Sequence, residues 1–482
     1  MVRTRVVPTH YNWAVSPESS VPRSGPPPVP NEQPGNSRAL VPFREAFKYW
    51  LRLGFINFGG PAGQIAIMHD ELVDKKRWIS NGRFLHALNF CTLLPGPEAQ
   101  QLAIYIGWLL NGALGGIVAG IFFVLPAFFL IFGLSWAFVA HGDVAWVAAV
   151  FYGLKAAVIA IVAAAVIRVG SKALKNPLMV FIAAASFVAI FFVKVSFPLV
   201  VLAAALAGLV GSRLWPRLFA GAQGHADADE EAVIGDEEMA RRERPSLKRS
   251  LYVLLLGGAV WWGPLLVVLA WRGTDDTLAR EAVFFSQAAL VTFGGAYAVL
   301  AYINQAAVQQ FGWLQPGEMA TGLGLAESTP GPLIMVTQFV GFVAAYRFPG
   351  GLNPLTAATL GALVTVWATF APCFLWIFLG APYIERLRGN AALNAALSAI
   401  TAAVVGVILN LAVTFAVFAL FRSVESGTLL SMTYPRPDLS SIDLFAVALA
   451  TIAFMGMFRY KWNVLWIVSG SALAGLAWQT LF

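Results

Sequence analysis

The sequence predicts an all-α integral membrane protein made of two inverted-topology repeats, each with broken or re-entrant helical hairpins. Three observations predict it. Of 482 residues, 58% are hydrophobic and 12% charged, against roughly 25% charged in a soluble domain. Apolar runs of the roughly 20 residues that cross a bilayer recur from about Ala113 to the C-terminus. Finally, "LPGPEAQQL" around Pro95 is matched by "TPGPLIMV" around Pro330, so one backbone break occurs twice. No polar stretch is long enough for a separate soluble enzyme domain, and any chemistry belongs in the bilayer.

Residues 1–42 are rich in proline and polar side chains ("VPRSGPPPVPNEQPG"). They cannot bury enough apolar surface to offset their ordering entropy and are expected to be a disordered tail. They carry no apolar core with a small-residue cleavage site, so the first apolar segment is expected to direct insertion. The rest divides into a first membrane repeat (43–213), a charged linker (214–249) and a second membrane repeat (250–482).

The duplication holds its register. "FGGPAGQIAIMHDE" begins at Phe58 and "FGGAYAVLAYINQ" at Phe293; Gly59 and Gly294, Trp78 and Trp313, and Pro95 and Pro330 are each 235 residues apart. Beyond the insertion "YRFPGGLNP" the offset becomes 246, pairing Pro126 with Pro372 and "GLKAAVIAIV" with "AITAAVVGVI".

Charge gives the relative orientation. Arg213, Arg217, Arg241, Arg242, Arg244, Lys248 and Arg249 flank the linker, which places it in the cytoplasm. One helix, about Leu251–Trp271, then crosses before the second repeat, so the second repeat starts outside. The first starts inside, beside Arg38, Arg44 and Lys48, and the two are inverted as in many transporters. Crossings near Gly115–Phe138, Val144–Ile167, Pro177–Val193 and Phe197–Gly211, then Ala357–Leu379, Leu393–Phe421, Ile442–Phe458 and Trp462–Leu481, put Arg168, Lys172, Lys175, Arg386, Arg388, Arg459 and Lys461 inside. Arg347 and Arg422 are the exceptions. Lys75, Lys76 and Arg77 also fall inside if the "FGG" and "PGP" segments are half-membrane hairpins. The net charge of +7 is this topological bias, and no nucleic-acid partner is expected.

Irregular backbone at membrane depth is tolerated where protein covers it or where it lines a wet cavity. After each Pro-Gly-Pro a half-helix should begin, near Pro97 or Glu98 in the first repeat, with free N–H groups and the positive end of its dipole at the break. Helix N-termini meeting at mid-membrane form an anion site; the bland alternative is that the prolines only kink spanning helices. Lys155, inside an apolar run, is a cation for such an anion, or else a side chain snorkelling to the surface. Its repeat partner is the neutral Thr401. Glu98 and Glu327 flank the two breaks and are either capping groups or proton carriers, since an enclosed carboxyl beside an anion holds a proton more readily than one in water. Gln64, Asn89, Gln100, Gln101, Ser328, Thr329 and Gln338 could line the wall or satisfy helix neighbours. His69, Asp70 and Glu71 read as a solvated mouth. Cys91 and Cys373 read as packing residues, with no metal site.

Together, "FGGPAGQIA", "LPGPEAQQLAIYIGW", "YGLKAAV", "TFGGAYAVL", "GWL" and "AESTPGPLIMVTQFVGF" resemble the chromate ion transporter family in its long, two-half form, over about Pro42–Phe482. The resemblance implies export of chromate across the bacterial inner membrane, driven by the proton-motive force and conferring resistance; the charge pattern puts the N-terminus in the cytoplasm. A membrane enzyme that reduces chromate is a weaker alternative, since no cofactor motif, haem ligand pair or thiol cluster in the sequence supports it; no cofactor and no enzymatic step are expected. Sulfate, also a tetrahedral oxyanion, is the expected analogue or competitor, and a passive anion channel is the alternative of another class. Carried over by motif, the substrate-binding positions are Phe58, Gly59, Gly60, Pro61, Pro95, Gly96, Pro97, Lys155, Phe293, Gly294, Gly295, Ser328, Thr329, Pro330, Gly331 and Pro332, with Glu98 and Glu327 for the proton. In the second repeat Ala296 stands where the first has Pro61. One chain contains both halves of a site, so a homodimer is compatible but not required.

Overall fold

The computed structural model describes residues 41–142, 144–214, 246–293, 295–383, 391–429 and 432–481. Most of the tail, most of the linker (with Arg217, Arg241, Arg242 and Arg244), Gly294, Arg386 and Arg388 lie outside them. Among the described residues the chain is almost wholly helical. In the first half α1 (Phe43–Ile56), α2 (Gly60–His69), α3 (Asn81–Leu93), α4 (Glu98–His141), α5 (Ala145–Ala173), α6 (Pro177–Phe191) and α7 (Phe197–Leu214) follow one another. Helix α8 (Leu247–Arg272) leads into α9 (Thr277–Leu290), α10 (Ala296–Gln305), α11 (Glu318–Ser328), α12 (Val336–Arg347), α13 (Pro354–Gly380), α14 (Ala391–Leu420), α15 (Leu444–Arg459) and α16 (Val464–Leu481). A small antiparallel hairpin, β1 (Val424–Leu429) with β2 (Met432–Pro437), joins α14 to α15.

The halves repeat element by element. Both α2 and α10 run into a short π-helical turn, Asp70–Lys75 and Ala306–Gln310. Helix α4 is broken at Asn111 and Gly112, whose backbone leaves the helical region, where the second half has the open turn between α12 and α13. On both sides of that bend the two arms cross at glycines, which let the backbones touch: Gly107 against Gly115, and Gly341 against Gly361. Among the described residues seven helices are long and apolar enough to cross a membrane, and α6, α15 and Leu333–Arg347, which contains α12, are shorter apolar helices. With α4 counted from its bend, the seven long helices together with α6 and α15 fall on the nine segments expected from sequence to cross.

Two hairpins in each half turn back instead of crossing. Helix α1 runs inward from Val41 and α2 returns, because Lys76, just beyond the π turn, pairs with Glu45 at 3.2 Å. Helix α3 runs inward again, and the first arm of α4 returns: Asn111 Nδ2 donates to Val41 O at 2.9 Å. Both hairpins therefore enter from one end, the end where Arg249 at the start of α8 lies over Trp108. In the second half the return points gather at the opposite end. Arg347 closes α12 onto the start of α11 through two 2.7 Å bonds to Glu318, and Arg272 at the end of α8 bonds Asp276 and Gly350 O. Hairpins entering from opposite ends are the structural form of the inversion.

The same contacts explain the two arginines that broke the charge rule. Arg347 pairs with Glu318 at 2.7 Å and Arg422 with Asp443 at 3.4 Å, so neither is a bare cation at its end of the molecule. The halves also exchange helices. Helix α5 packs on α15 and α16 of the second half, and α14, its counterpart, packs on α6 and α7 of the first. Small residues make the contacts close: Gly153 meets the backbone of Ser471, and Gly208 that of Ala395. A continuous apolar core from both halves surrounds the breaks.

Candidate functional site

The four breaks meet, and they do so in pairs across the repeats. Gly96 N donates to Thr292 O at 2.9 Å, and Gly331 N donates to Asn57 O at 3.2 Å. Gly96 and Gly331 are equivalent positions, as are Asn57 and Thr292, so one bond is the pseudo-symmetric image of the other. The Pro-Gly-Pro of each half is thus tied to the Phe-Gly-Gly of the other. A second matched pair shapes the approach: Phe58 N bonds Ile56 O at 2.9 Å and Phe293 N bonds Val291 O at 3.0 Å. Gln64 adds a third tie, its Nε2 donating to both Asn57 O and Gly331 O.

Glycine is needed at the crossed positions. Gly96 has φ +132° and Gly331 φ +121°, backbone that L side chains rarely adopt. A Cβ on Gly96 would stand 2.6 Å from Gln101 Nε2 and 3.0 Å from Cys373 Sγ, and one on Gly331 would overlap Ala127. The prolines stop each incoming helix and cost no hydrogen bond at the start of the next.

Four helix N-termini open on one small cavity. Its lining is Pro61 and Gln64 from the start of α2; Pro97 with Glu98 and Ala99 at the start of α4; Gly295 with Ala296 at the start of α10; and Pro332, Leu333 and Ile334 from the turn that leads into α12. No side chain caps any of the four. Side chains also leave α1, α5, α8 and α11 uncapped, whereas α3, α6, α9, α13 and α15 are capped by Ser80, Asn176, Asp276, Asn353 and Asp443; what sets the four apart is that they converge on one cavity. Each uncapped end presents free N–H groups and positive dipole, and each favours an anion by about 0.3–1 kcal/mol, more when sheltered from water. The cavity volume is about 10 Å³, room for a single water.

The sequence-selected residues fall into distinct places. Pro61, Pro97, Glu98, Gly295 and Pro332 line the cavity. Phe58, Gly59, Gly60, Pro95, Gly96, Phe293, Thr329, Pro330 and Gly331 form the turns behind it, and Gly294 lies outside the described residues. Ser328 and Thr329 return their hydroxyls to Leu325 O and Ala326 O. Gln100, Gln101 and Gln338 hold the backbone at Gly120, Pro95 and Phe128, while Asn89 is exposed. His69 bonds Asp74 and Asn81 at the surface. Both cysteines are buried and free.

The two carboxyls are not equivalent. Glu98 is the first residue of α4 and lies inside the cavity lining, 3.7 Å from where a Cβ on Gly295 would be. Glu327 is on the last turn before its break, 5% exposed, and accepts a 2.6 Å bond from Tyr297 OH. Tyr297 sits on the first turn of α10, and sequence reading missed it because its partner is 30 residues away. Ala99, Ala296, Leu333 and Ile334 were missed as well, since apolar first-turn residues carry no signal beyond their distance from the break.

Lys155 stands apart from the cavity. Its neighbours Leu154 and Val158 on α5 pack against Gly324 of α11, about 6 Å along α11 from its inner end at the helical rise. It has no hydrogen bond or ion pair among the described residues.

The chromate transporter family profile matches residues 44–209 and 280–476, one stretch in each half. The chain belongs to the chromate transporter family. The chromate transport protein of Pseudomonas aeruginosa is 31% identical over 442 residues, 90% of this chain and 92% of that protein. That of Cupriavidus metallidurans is 28% identical over 433 residues, again 90% and 92%. A probable chromate transport protein of Synechococcus elongatus is 29% identical over 343 residues, 71% and 77%. No solved structure matches the chain. Membership and the apolar helices make it a multi-pass membrane protein of a transporter family.

Proposed function

We propose that the protein carries chromate outward across the bacterial inner membrane by alternating access, driven by the proton-motive force, and so confers resistance. One observation carries this reading: four uncapped helix N-termini, two from each inverted repeat, face one cavity. A dianion placed there would be held by backbone N–H groups from both halves at once. In the arrangement described, the cavity takes a water but not a tetrahedral oxyanion, so loading requires the N-termini to move apart. Separation of the two repeats from one end or the other is the motion that inverted repeats provide.

In this proposal Glu98 gives up or takes up the coupling proton beside the anion, and Glu327, anchored by Tyr297, is the second carrier. Lys155 is a cation on the approach along α5 and α11. The linker end is cytoplasmic, as its basic residues suggest, which puts the N-terminus inside.

Everted membrane vesicles test the proposal. Energised vesicles should accumulate chromate, lose it with a protonophore, and show competition by sulfate. Glu98→Gln should uncouple accumulation from the proton gradient, and Lys155→Ala should lower uptake. Sulfate accumulation without chromate would reassign the cargo; uptake that ignores the protonophore and never exceeds equilibrium would make the protein a channel.

A further inference from the structure

Glu281, on the second turn of α9, is fully buried, and neither carboxyl oxygen has a hydrogen-bond partner. Its Oε2 lies 3.0 Å from the position of a Cβ on Gly361 of α13. One turn along α13, the Thr365 hydroxyl is likewise buried and unpartnered, seated over Gly341 of α12. These polar groups occupy the place where α9 packs on the α12–α13 hairpin.

The first repeat is an internal control for this packing. Glu281 stands 235 residues after Ala46, and Thr365 stands 246 after Ala119, the offsets of the duplication itself. Ala46 and Ala119 are both buried, and the glycine crossing beside them, Gly107 on Gly115, is the same. An equivalent hairpin therefore packs with two alanines. The carboxyl in the second repeat serves something other than packing.

Among the described residues, the charged groups at this end of the neighbouring elements are paired with one another. Asp276, at the start of α9, and Arg272, at the end of α8, pair with each other; Arg280 pairs with Asp275; Arg347, at the end of α12, pairs with Glu318. Helix α13 contributes no charge there, and α10 contributes only Tyr297 and Tyr302. A bare carboxylate in such a place would cost several kcal/mol, whereas the neutral acid does not. The turn Pro332–Ile334 in the cavity lining leads into α12, so the hairpin over Glu281 is continuous with the cavity wall.

We propose that Glu281 is a proton-binding site of the second repeat, holding its proton while α9 is closed on the α12–α13 hairpin and exchanging it with the end opposite the linker when they part. The first repeat has Ala46 at the equivalent position, so this proton site belongs to the second half alone and acts alongside Glu98 and Glu327. Its link to transport rests on the chromate carrier proposed above; the binding of the proton does not.

Two measurements on the purified full chain in proteoliposomes test it. Infrared difference spectra across a pH step should contain the carbonyl stretch of a protonated carboxylic acid that Glu281→Gln removes. This readout needs no cargo, so it stands or fails even if chromate is the wrong ion. In transport, Glu281→Gln and Glu281→Ala, the latter restoring the first repeat's residue, should keep chromate exchange between chromate-loaded sides and lower the number of protons moved per chromate in net flux. An unchanged infrared band in Glu281→Gln would overturn the proposal. So would wild-type proton movement in both variants, or loss of exchange together with proton movement, which would reduce Glu281 to a structural residue.

Discussion

Gly331 shows how much a single residue decides. Its N–H ties the second Pro-Gly-Pro to Asn57 of the first repeat, its backbone is left-handed, and a methyl group would overlap Ala127. Gly331→Ala should cost about 1–3 kcal/mol in backbone strain, before the clash with Ala127 is counted, and should nearly abolish transport because it displaces two of the four helix ends. Gly258→Ala is the control. It lies inside α8 with nothing within 4 Å of the new Cβ, and by helix propensity it should be neutral or stabilise by up to about 1 kcal/mol. Thermal unfolding in detergent with uptake assays separates the two. At this scale the sequence is legible where backbone is unusual: Pro-Gly-Pro and Phe-Gly-Gly announce turns by composition. It is illegible where a side chain's meaning comes from what folds over it. Glu281 lies in "REAVFF", close to Asp275, Asp276 and Arg280, and reads as one more charge of a solvated helix start. Only the hairpin packed onto it makes it buried.

Among the elements, α15 carries a cap whose strength depends on pH. Asp443 is 6% exposed. Burial opposes its ionisation, but the N–H of Ala446, Tyr152 and Arg422 outweigh that and hold the carboxyl below its ordinary range. Because the folded-state value is depressed, the stabilisation is complete above the unfolded carboxyl range and disappears as pH falls through the folded value. Asp443→Ala should therefore lower stability by about 1 kcal/mol near neutral pH, typical of a lost N-cap. The gap from wild type should close on acidification, as melting temperatures measured across pH will show. A gap that is constant with pH would mean that the side chain acts only through shape. Element boundaries were largely readable, since prolines and caps punctuate α6 and α13. The strands β1 and β2 were not: "VESGTLLSMTYPRP" has no long alternation, and their antiparallel pairing follows from α14 and α15 bringing its two ends together.

At the scale of the molecule, the inverted duplication was legible because two signals agree, a constant offset and a charge bias. The exchange of α5 and α14 between halves was not, because helices rich in alanine and valine all round could face either neighbour. The exchange bears on mechanism. Each half grips the other through one long helix, α5 or α14, so the halves cannot separate as free bodies and must tilt about the α5 and α14 contacts. Opening at one end then closes the other, and the two ends should differ in accessibility in the same preparation. Lys75 and Arg280, with side chains 57% and 47% exposed, mark the linker end and the opposite end. A cysteine at position 75 should react with a membrane-impermeant thiol reagent only in everted vesicles, and one at 280 only in right-side-out cells, the native cysteines being buried. Labelling of both positions from the same side would place the two hairpin sets at one membrane face, which contradicts the inversion. The expected pattern would fix the first repeat's hairpins to the cytoplasm and the second's to the outside, and would set the direction from which each pair of helix ends is first exposed to the anion.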